Sequence, residues 1–590
     1  MGIQGLTSFI ENVLQNYNFT TSKLIIDGSN LFHSLYFNSS VDQQHGGDYD
    51  DFEDQVCKFF KALRDCGIDP FVIIDGGSDH TDNKFKTLRE RAQSKINNLS
   101  IGLQGDRIIP TLAKQVFKQV LSCLEVPFAQ CIFEADQEIA SLAEKWNCPV
   151  LSNDSDFYIF DIQAGYLPFS HFQWQNVSVQ HGSSQNYIPC KLYTTTSFCT
   201  HFKIDRQLLP VFAAIAGNDY VNLYNMGFPI KWPRVLDLGA DTRVVFFNRL
   251  LDWLARFQEQ QEALDSVPRL IGHGENGVNT DVALEALSLG IEEYKLPLGC
   301  LERFFEEYSA PDPGSLPDHL RVLPDWTLLP LMKGTLPSCI IYILQLWPVI
   351  QGVQVEDPSL PSGNNTSRPI RQVLYGLLLG ERREVEEYDR EGTNLTSSMV
   401  KAILPSAAQQ LQLNKLHIQH AHLQPDHPLL QALLLGLVYG ELCRQRKSQR
   451  GFIEEGPVLG RLRRLIQRGA SNLDLAVAHA YSQWQCCMRD CLDLNQLLCF
   501  PLSEPQIACP ASRLYRGTLV HQLVGQLRGG VTPDSLLIED PSSGQLYRAM
   551  LEAILNSQET EATGQPDGPS ADSGSQCPAT RGRKYSSKLC

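Results

Sequence analysis

Four short apolar runs in this chain of 590 residues each end in acid. Leu24-Ile25-Ile26 ends in Asp27, and Phe71-Val72-Ile73-Ile74 ends in Asp75. Cys131-Ile132-Phe133 runs into Glu134-Ala135-Asp136, and Pro149-Val150-Leu151 runs into Ser152-Asn153-Asp154-Ser155-Asp156. One acid in such a place is usually a helix cap or a turn residue. Four in succession are harder to explain that way. If the runs are parallel strands, their ends share the edge at which open α/β sheets bind ligands. Asp219, in Gly217-Asn218-Asp219-Tyr220, could join these six carboxylates. Like charges so close raise one another's pKa unless cations neutralise them. Hard oxygen ligands suit Mg²⁺, with Mn²⁺ as a substitute, rather than zinc. Two such ions about 3.5–4 Å apart can activate water and stabilise the leaving oxygen in phosphodiester cleavage.

The elements that must position these acids are also legible. Between the runs lie amphipathic stretches, 52–66, 112–124 and 137–146, and continuous apolar strands separated by helices predict a parallel sheet covered on both faces. Beyond about residue 235 the chain reads as helices rich in Leu and Gln, over 243–265, 282–308, 370–388, 406–418, 428–447 and 457–500. Residues 359–369 read as a loop or linker, and the stretch after about 556 as disordered. The predicted organisation is an α/β domain over 1–235, a helical extension over 236–358, a helical C-terminal domain over 370–555 and a tail over 556–590.

Fifty Lys+Arg against 66 Asp+Glu give a net charge of −16, so any attraction to nucleic acid must be local. Between Lys84 and Lys118 eight basic residues stand against two acids, Glu90 and Asp106. Five of the eight, Lys84, Lys86, Arg89, Arg91 and Lys95, crowd one short segment. On a helix over 83–97, Lys84, Arg91 and Lys95 fall on one narrow face, which could hold a scissile phosphate against the metals. Weaker signals are the histidines between His417 and His427, read as a solvated helix end; a second basic concentration from Arg444 to Arg468; and a loose basic tail at Arg581, Arg583, Lys584 and Lys588.

Taken together these motifs resemble the flap endonuclease/XPG family of metal-dependent nucleases, and its Asteroid branch in particular. Met1-Gly2-Ile3-Gln4-Gly5-Leu6 looks like that family's start; Ile26-Asp27-Gly28-Ser29-Asn30, Ile74-Asp75-Gly76, Glu134-Ala135-Asp136, Asp154-Ser155-Asp156 and Gly217-Asn218-Asp219-Tyr220 match its metal-binding motifs in order. The match covers about residues 1–225. The resemblance implies a PIN-like fold with a central, mostly parallel sheet. It also implies Mg²⁺ held by Asp27, Asp75, Glu134, Asp136, Asp154, Asp156 and Asp219, with Lys84 and Arg91 orienting the phosphate and Gly2 close to the DNA. DNA would be the partner, and nuclear DNA repair, with a repair protein recruiting the enzyme, the setting. After its last Asp the family usually has a Gly-rich duplex-gripping turn, whereas here Val221-Asn222-Leu223-Tyr224-Asn225-Met226-Gly227 follows. The chain is therefore expected to prefer single strands and overhangs, 3′ tails among them, as in double-strand break repair. A repair scaffold without activity and an RNA nuclease are the alternatives.

Seventeen scattered cysteines read as reduced thiols of an intracellular protein. No apolar stretch predicts a membrane span, and the N-terminus does not read as a signal peptide.

Overall fold

A computed structural model describes residues 2–77, 82–100, 108–180, 182, 184–228, 242–271, 280–297, 300–316, 320–404, 431–432, 434–435, 472–501 and 516–562. The histidines at 417–427, the basic concentration at 444–468 and the tail at 581–588 lie outside these residues.

In chain order the first elements are α1 (Leu6–Ile10), β1 (Gln15–Phe19), β2 (Lys23–Asp27), α2 (Gly28–Phe37), α3 (Tyr49–Asp65), β3 (Asp69–Ile74), α4 (Asp82–Ser100), α5 (Ala113–Cys123), β4 (Phe128–Gln130), α6 (Asp136–Trp146), β5 (Val150–Ser152) and β6 (Tyr166–Pro168). A five-stranded sheet runs β4-β3-β2-β5-β6, with all neighbours parallel. The chain moves outward from β2 through β3 to β4 and then returns to the other side of β2 as β5. The topological switch point therefore lies between β2 and β5, where Asp27 and Asp154 emerge. Although the strand runs are continuously apolar, their side chains still alternate. Leu24, Ile26, Val72 and Ile74 enter one core with α3 and α5; Ile25, Ile73 and Val150 enter the other with α6. Helix α3 shows why the first face closes: Tyr49, Phe52, Val56, Phe59, Phe60 and Leu63, at helical spacing, are all buried.

Next come β7 (Ser178–Val179) and β8 (Asn186–Leu192), forming a small antiparallel sheet with β1, then α7 (Thr195–Phe202) and α8 (Leu209–Ala216). Helices α9 (Thr242–Leu254), α10 (Gln260–Ile271), α11 (Thr280–Glu292) and α12 (Cys300–Glu307) extend the core on the α6 face. Then follow α13 (Asp325–Met332), α14 (Cys339–Leu344), β9 (Val349–Ile350), α15 (Asn364–Leu379), β10 (Glu384–Glu391), β11 (Asn394–Lys401), α16 (Leu475–Leu497), α17 (Gly517–Arg528), α18 (Pro533–Leu537) and α19 (Pro541–Ala562). Helices α16 and α17 return to the α3 face: Val477, Tyr481, Leu519 and Leu523 join its core, and Arg516 pairs with Asp50 and Asp51 at 2.6 Å each. No disulfide joins the cysteines among the described residues, and no helix among those residues is long and apolar enough to cross a membrane.

Three expectations need correction. The strand expected at Cys131–Phe133 lies earlier, at Phe128–Gln130; residues 131–133 instead leave the sheet, their carbonyls at Ile132 and Phe133 accepting from Gly77 and Gly76. Residues 380–388 are not helical. Gly380, at φ 77°, ends α15, and the chain reverses into the β10–β11 hairpin, with β9 alongside as a third strand. That strand was hidden because two of its inward positions, Glu387 and Asp389, are acids rather than apolar residues. Finally, 359–369 is no exposed linker: Ser362, Asn364 and Ser367 are buried and α15 already starts at Asn364.

Asp389 accepts from Ser362 and Asn364, and Arg371, which donates to Ser367, also binds Glu387. Arg371 grips it bidentately at 2.7 and 2.8 Å and reaches Asp490 of α16 at 2.9 Å, while Tyr375 donates to it at 2.6 Å. Removing one partner of such a pair leaves buried charge uncompensated, at about 3–5 kcal/mol. Arg371→Ala is therefore expected to lower unfolding stability by about 3–5 kcal/mol, as measured by urea titration followed by circular dichroism.

Candidate active site

Each acid is placed by the element whose end it occupies. Asp27 closes β2 and caps α2, accepting from the Asn30 amide at 2.9 Å and the Ser152 hydroxyl at 2.7 Å. Asp75 follows β3; its carboxylate accepts from the Ala135 amide at 2.9 Å, and its own carbonyl accepts from Lys114 Nζ at 2.8 Å. Asp136 opens α6, and Asp154 caps the turn at Ser155–Tyr158. The close approach of Gly76 to the Cys131 carbonyl leaves no room for a Cβ, so the chain after Asp75 can pack only as glycine.

Carboxylate oxygens of Asp136, Asp154 and Asp156 lie within 4.8 Å of one another. Asp27, Asp75, Glu134, Asp136, Asp154 and Asp219 line one cleft of about 770 Å³. Burial, with Asp75 nearby, pushes the Asp27 carboxyl up to about 7; burial and the Asp154 charge do the same to Asp156 and also raise Asp136.

On α4, Arg91 and Lys95 line the cleft as their spacing predicts, and Arg91 Nη2 lies 3.4 Å from Asp219 Oδ2. The side chain of Lys84 lies outside the described residues. Lys86 and Arg89 point elsewhere: Lys86 is exposed, 4.0 Å from Glu90, and Arg89 sits over the Tyr388 ring at 4.8 Å. Gly2 approaches the cluster from the N-terminal side. A Cβ there would lie 2.7 Å from an Asp156 carboxylate oxygen, and Ile3 is tied to Ser155 through an amide-to-hydroxyl bond of 2.7 Å.

Sequence reasoning missed two supporting hydroxyls. Tyr220 Oη donates to Glu134 at 2.6 Å and Tyr294 Oη to Asp156 at 2.8 Å. Tyr220 directly follows Asp219 and could have been singled out; Tyr294 comes from the helical extension and carries no motif. Residues 338–353, which supply part of the cleft lining, were missed for the same reason. After Asp219, residues 221–228 form turns with Val221, Leu223 and Phe228 buried, and residues 229–241 are outside the description.

Comparison with known proteins matches residues 1–98 to the XPG N-terminal domain and residues 461–564 to the Asteroid N-terminal domain. A zebrafish (Danio rerio) protein named single-strand DNA endonuclease ASTE1 is 41% identical over 94% of this chain and 86% of its own. The human protein of the same name is 36% identical over 94% of this chain and 90% of its own. The chain belongs to the Asteroid branch of the XPG nuclease family. The Drosophila melanogaster relative named protein asteroid is 33% identical over 38% of this chain and 32% of its own. Among solved structures, the catalytic core of Rad2 in complex with DNA aligns over 50% of this chain and 87% of its own, at 16% identity and a TM-score of 0.32. Human GEN1 with Holliday junction DNA aligns over 58% of this chain and 77% of its own, at 16% identity and a TM-score of 0.29.

The raised carboxyls of this Asteroid-family chain give its stability a pH dependence with a definite sign. Asp27 and Asp156 titrate near 7 when folded and about 4 when unfolded. Folding therefore favours their protonated forms, so these two groups stabilise metal-free protein as pH falls from about 8 to 5, while His33, His479 and His521, held below the ordinary imidazole range by desolvation, act in the opposite sense. Asp48, Asp50 and Asp493 are also raised, and they contribute a part that metal does not touch. Mg²⁺ should stabilise more at pH 8 than at pH 5 and so flatten the slope; thermal melts at both pH values, with Mg²⁺ or EDTA, measure this. A slope unmoved by Mg²⁺ would remove the cluster as a cation site.

Proposed function

We propose that this chain is a divalent-metal-dependent DNA endonuclease that cleaves single-stranded DNA and single-stranded overhangs, 3′ tails in particular, during double-strand break repair in the nucleus. The observation that carries the reading is that Asp27, Asp75, Glu134, Asp136, Asp154 and Asp219 line one cleft, with carboxylate oxygens of Asp136, Asp154 and Asp156 within 4.8 Å of one another. The full-length relatives named single-strand DNA endonuclease support the substrate class.

The donor set fits Mg²⁺: only carboxylates, several of them pushed above their ordinary ionisation by burial and by one another's charge. Asp27, Asp75, Glu134, Asp136, Asp154, Asp156 and Asp219 would hold two ions, for which Mn²⁺ would substitute. Bound there, the metal supplies charge neutralisation at the scissile phosphate. The chain's own residues do the rest. Tyr220 and Tyr294 fix Glu134 and Asp156 by donating hydroxyl protons. Arg91, held only at 3.4 Å by Asp219, can turn to an incoming phosphate and exchange one anion for another. Lys84 and Lys95 would complete the phosphate-binding face, and a repair protein would bring the acidic chain to DNA.

Asp154→Asn removes a charge at nearly constant shape. It is expected to reduce Mg²⁺-dependent cleavage by about 100-fold or more while leaving folding intact, and near-normal turnover of the purified variant would sink the assignment. Lys84→Ala and Arg91→Ala should slow cleavage and make DNA binding less salt-dependent, with Arg91 the costlier loss.

Substrate choice is tested with labelled single strand, 3′ overhang, 5′ overhang, 5′ flap, duplex and matched RNA at one salt concentration, with Mg²⁺ or EDTA. Single strands and overhangs should be cut fastest. A 5′ flap cut faster than all of them would overturn that preference, and RNA cut as fast as DNA would overturn the restriction to DNA.

A further inference from the structure

The cleft has two chemically different linings. One is the carboxylate edge with Arg91 and Lys95. The other is apolar and half-buried: Phe85 and Leu88 of α4, with Tyr342, Pro348, Val349 and Ile350 from the strap at 338–353. Half-buried apolar groups beside a phosphate-binding edge need a ligand that is itself charged on one side and flat and apolar on the other. A single nucleic-acid strand has that composition, with phosphates along its backbone and base faces that are unstacked and free. A duplex keeps those faces covered. Stacking and apolar contact with bases tolerate any sequence because every base offers a π-face.

The two sources of the apolar lining are joined. Strand β9 pairs in parallel with β10, Ile350 opposite Tyr388, and the Gln351 amide donates to the Tyr388 carbonyl at 2.8 Å. The same hairpin grips α4. Gln93 Nε2 donates to the Thr393 carbonyl at 2.9 Å, and Gln93 Oε1 accepts from the Leu395 amide at 2.8 Å. The Tyr388 ring meets Phe85 edge-on at 5.4 Å and lies under Arg89. Buried Arg371 in turn fixes the hairpin through Glu387. The strap and α4, which both line the cleft, are thus tied by one hairpin.

Building on the reading of the cleft as a nuclease site, we propose that the strap and the α4 face form a subsite for unpaired nucleobases. The hairpin clamp sets its width, and the subsite is the element that selects single strands over duplex. The decisive experiment uses the full chain carrying Asp154→Asn, so that bound DNA is not cut, and measures binding by fluorescence anisotropy in Mg²⁺. The probes are an oligothymidylate and an abasic strand of the same length and charge. Binding of the abasic strand should be about 10-fold weaker, with the salt dependence unchanged because the phosphate contacts are the same. Tyr342→Ala should remove much of that difference. In the otherwise native chain, Gln93→Ala with Tyr388→Ala should raise duplex cleavage relative to single-strand cleavage about 10-fold, with melting curves checking that the variant folds. Equal affinity for the two probes would overturn the proposal even if single strands are still cleaved, because the comparison is made on one folded protein. Cleavage of no strand by the native chain would instead overturn the nuclease reading. An unchanged duplex-to-single-strand ratio in the folded double variant would remove the hairpin's part.

Discussion

Crowding of negative charge at one sheet edge is the constraint around which this molecule is organised. A parallel sheet delivers every strand end to the same side, so acids placed after β2, β3 and β5 must meet there. Their mutual repulsion and burial oppose ionisation. The fold offsets part of the cost with donors aimed at single oxygens: the Asn30 and Ala135 amides and the Ser152, Tyr220 and Tyr294 hydroxyls. None of these carries a charge. They orient the carboxylates and leave the net negative potential in place, which is the condition a divalent cation requires.

The Glu387 region shows the opposite solution to the same problem. It too buries carboxylates, but sets arginines against them: Arg371 for Glu387, Arg371 and Arg489 for Asp490, and Arg390 for Glu356 at 2.7 Å. These ion pairs join α15, β10 and α16. One buried polar cluster is closed and structural, the other open and chemical. The difference lies in how closely arginines accompany the acids: Arg91 stands 3.4 Å from Asp219, whereas Arg371 and Arg390 hold their partners at 2.7 Å.

What was legible in the sequence follows from how local each signal is. Asp27, Asp75 and Asp154 could be found because each sits beside a strand run that identifies itself, whereas the run before Asp136 lies just past its strand, β4. Arg91 and Lys95 were placed on one face by helical periodicity alone, and the structure sets both on the cleft. Signals that depend on distant partners were not readable. The acids of β10 look like surface charge until Arg371 is known to face them, so that strand was read as helix. Buried Ser362, Asn364 and Ser367 looked like linker composition for the same reason. Tyr294 and the strap act only through tertiary contact, which no periodicity records. Lys86 and Arg89 belong to the same basic segment as Arg91, but their places on the helix turn them to Glu90 and Tyr388.

These distant contacts also mean that the acidic edge is not the property of the first 235 residues alone. Asp156 takes its hydroxyl partner from Tyr294, and α4 takes its hairpin from residues beyond 384. Residues 46–51, the turn before α3 and its first residues, are held by α16 and the start of α17: Gln485 donates to the Gly46 carbonyl at 3.1 Å, Tyr49 donates to Gln485, and Arg516 pairs with Asp50 and Asp51. Each contact fixes a segment that would otherwise pay its ordering entropy when substrate arrives. A cleft pre-set in this way favours a ligand that can bend to fit it. A flexible single strand can, and a stacked duplex resists. The proposed preference for single strands would then rest less on the acidic edge itself than on the strap, α4 and the hairpin that ties them.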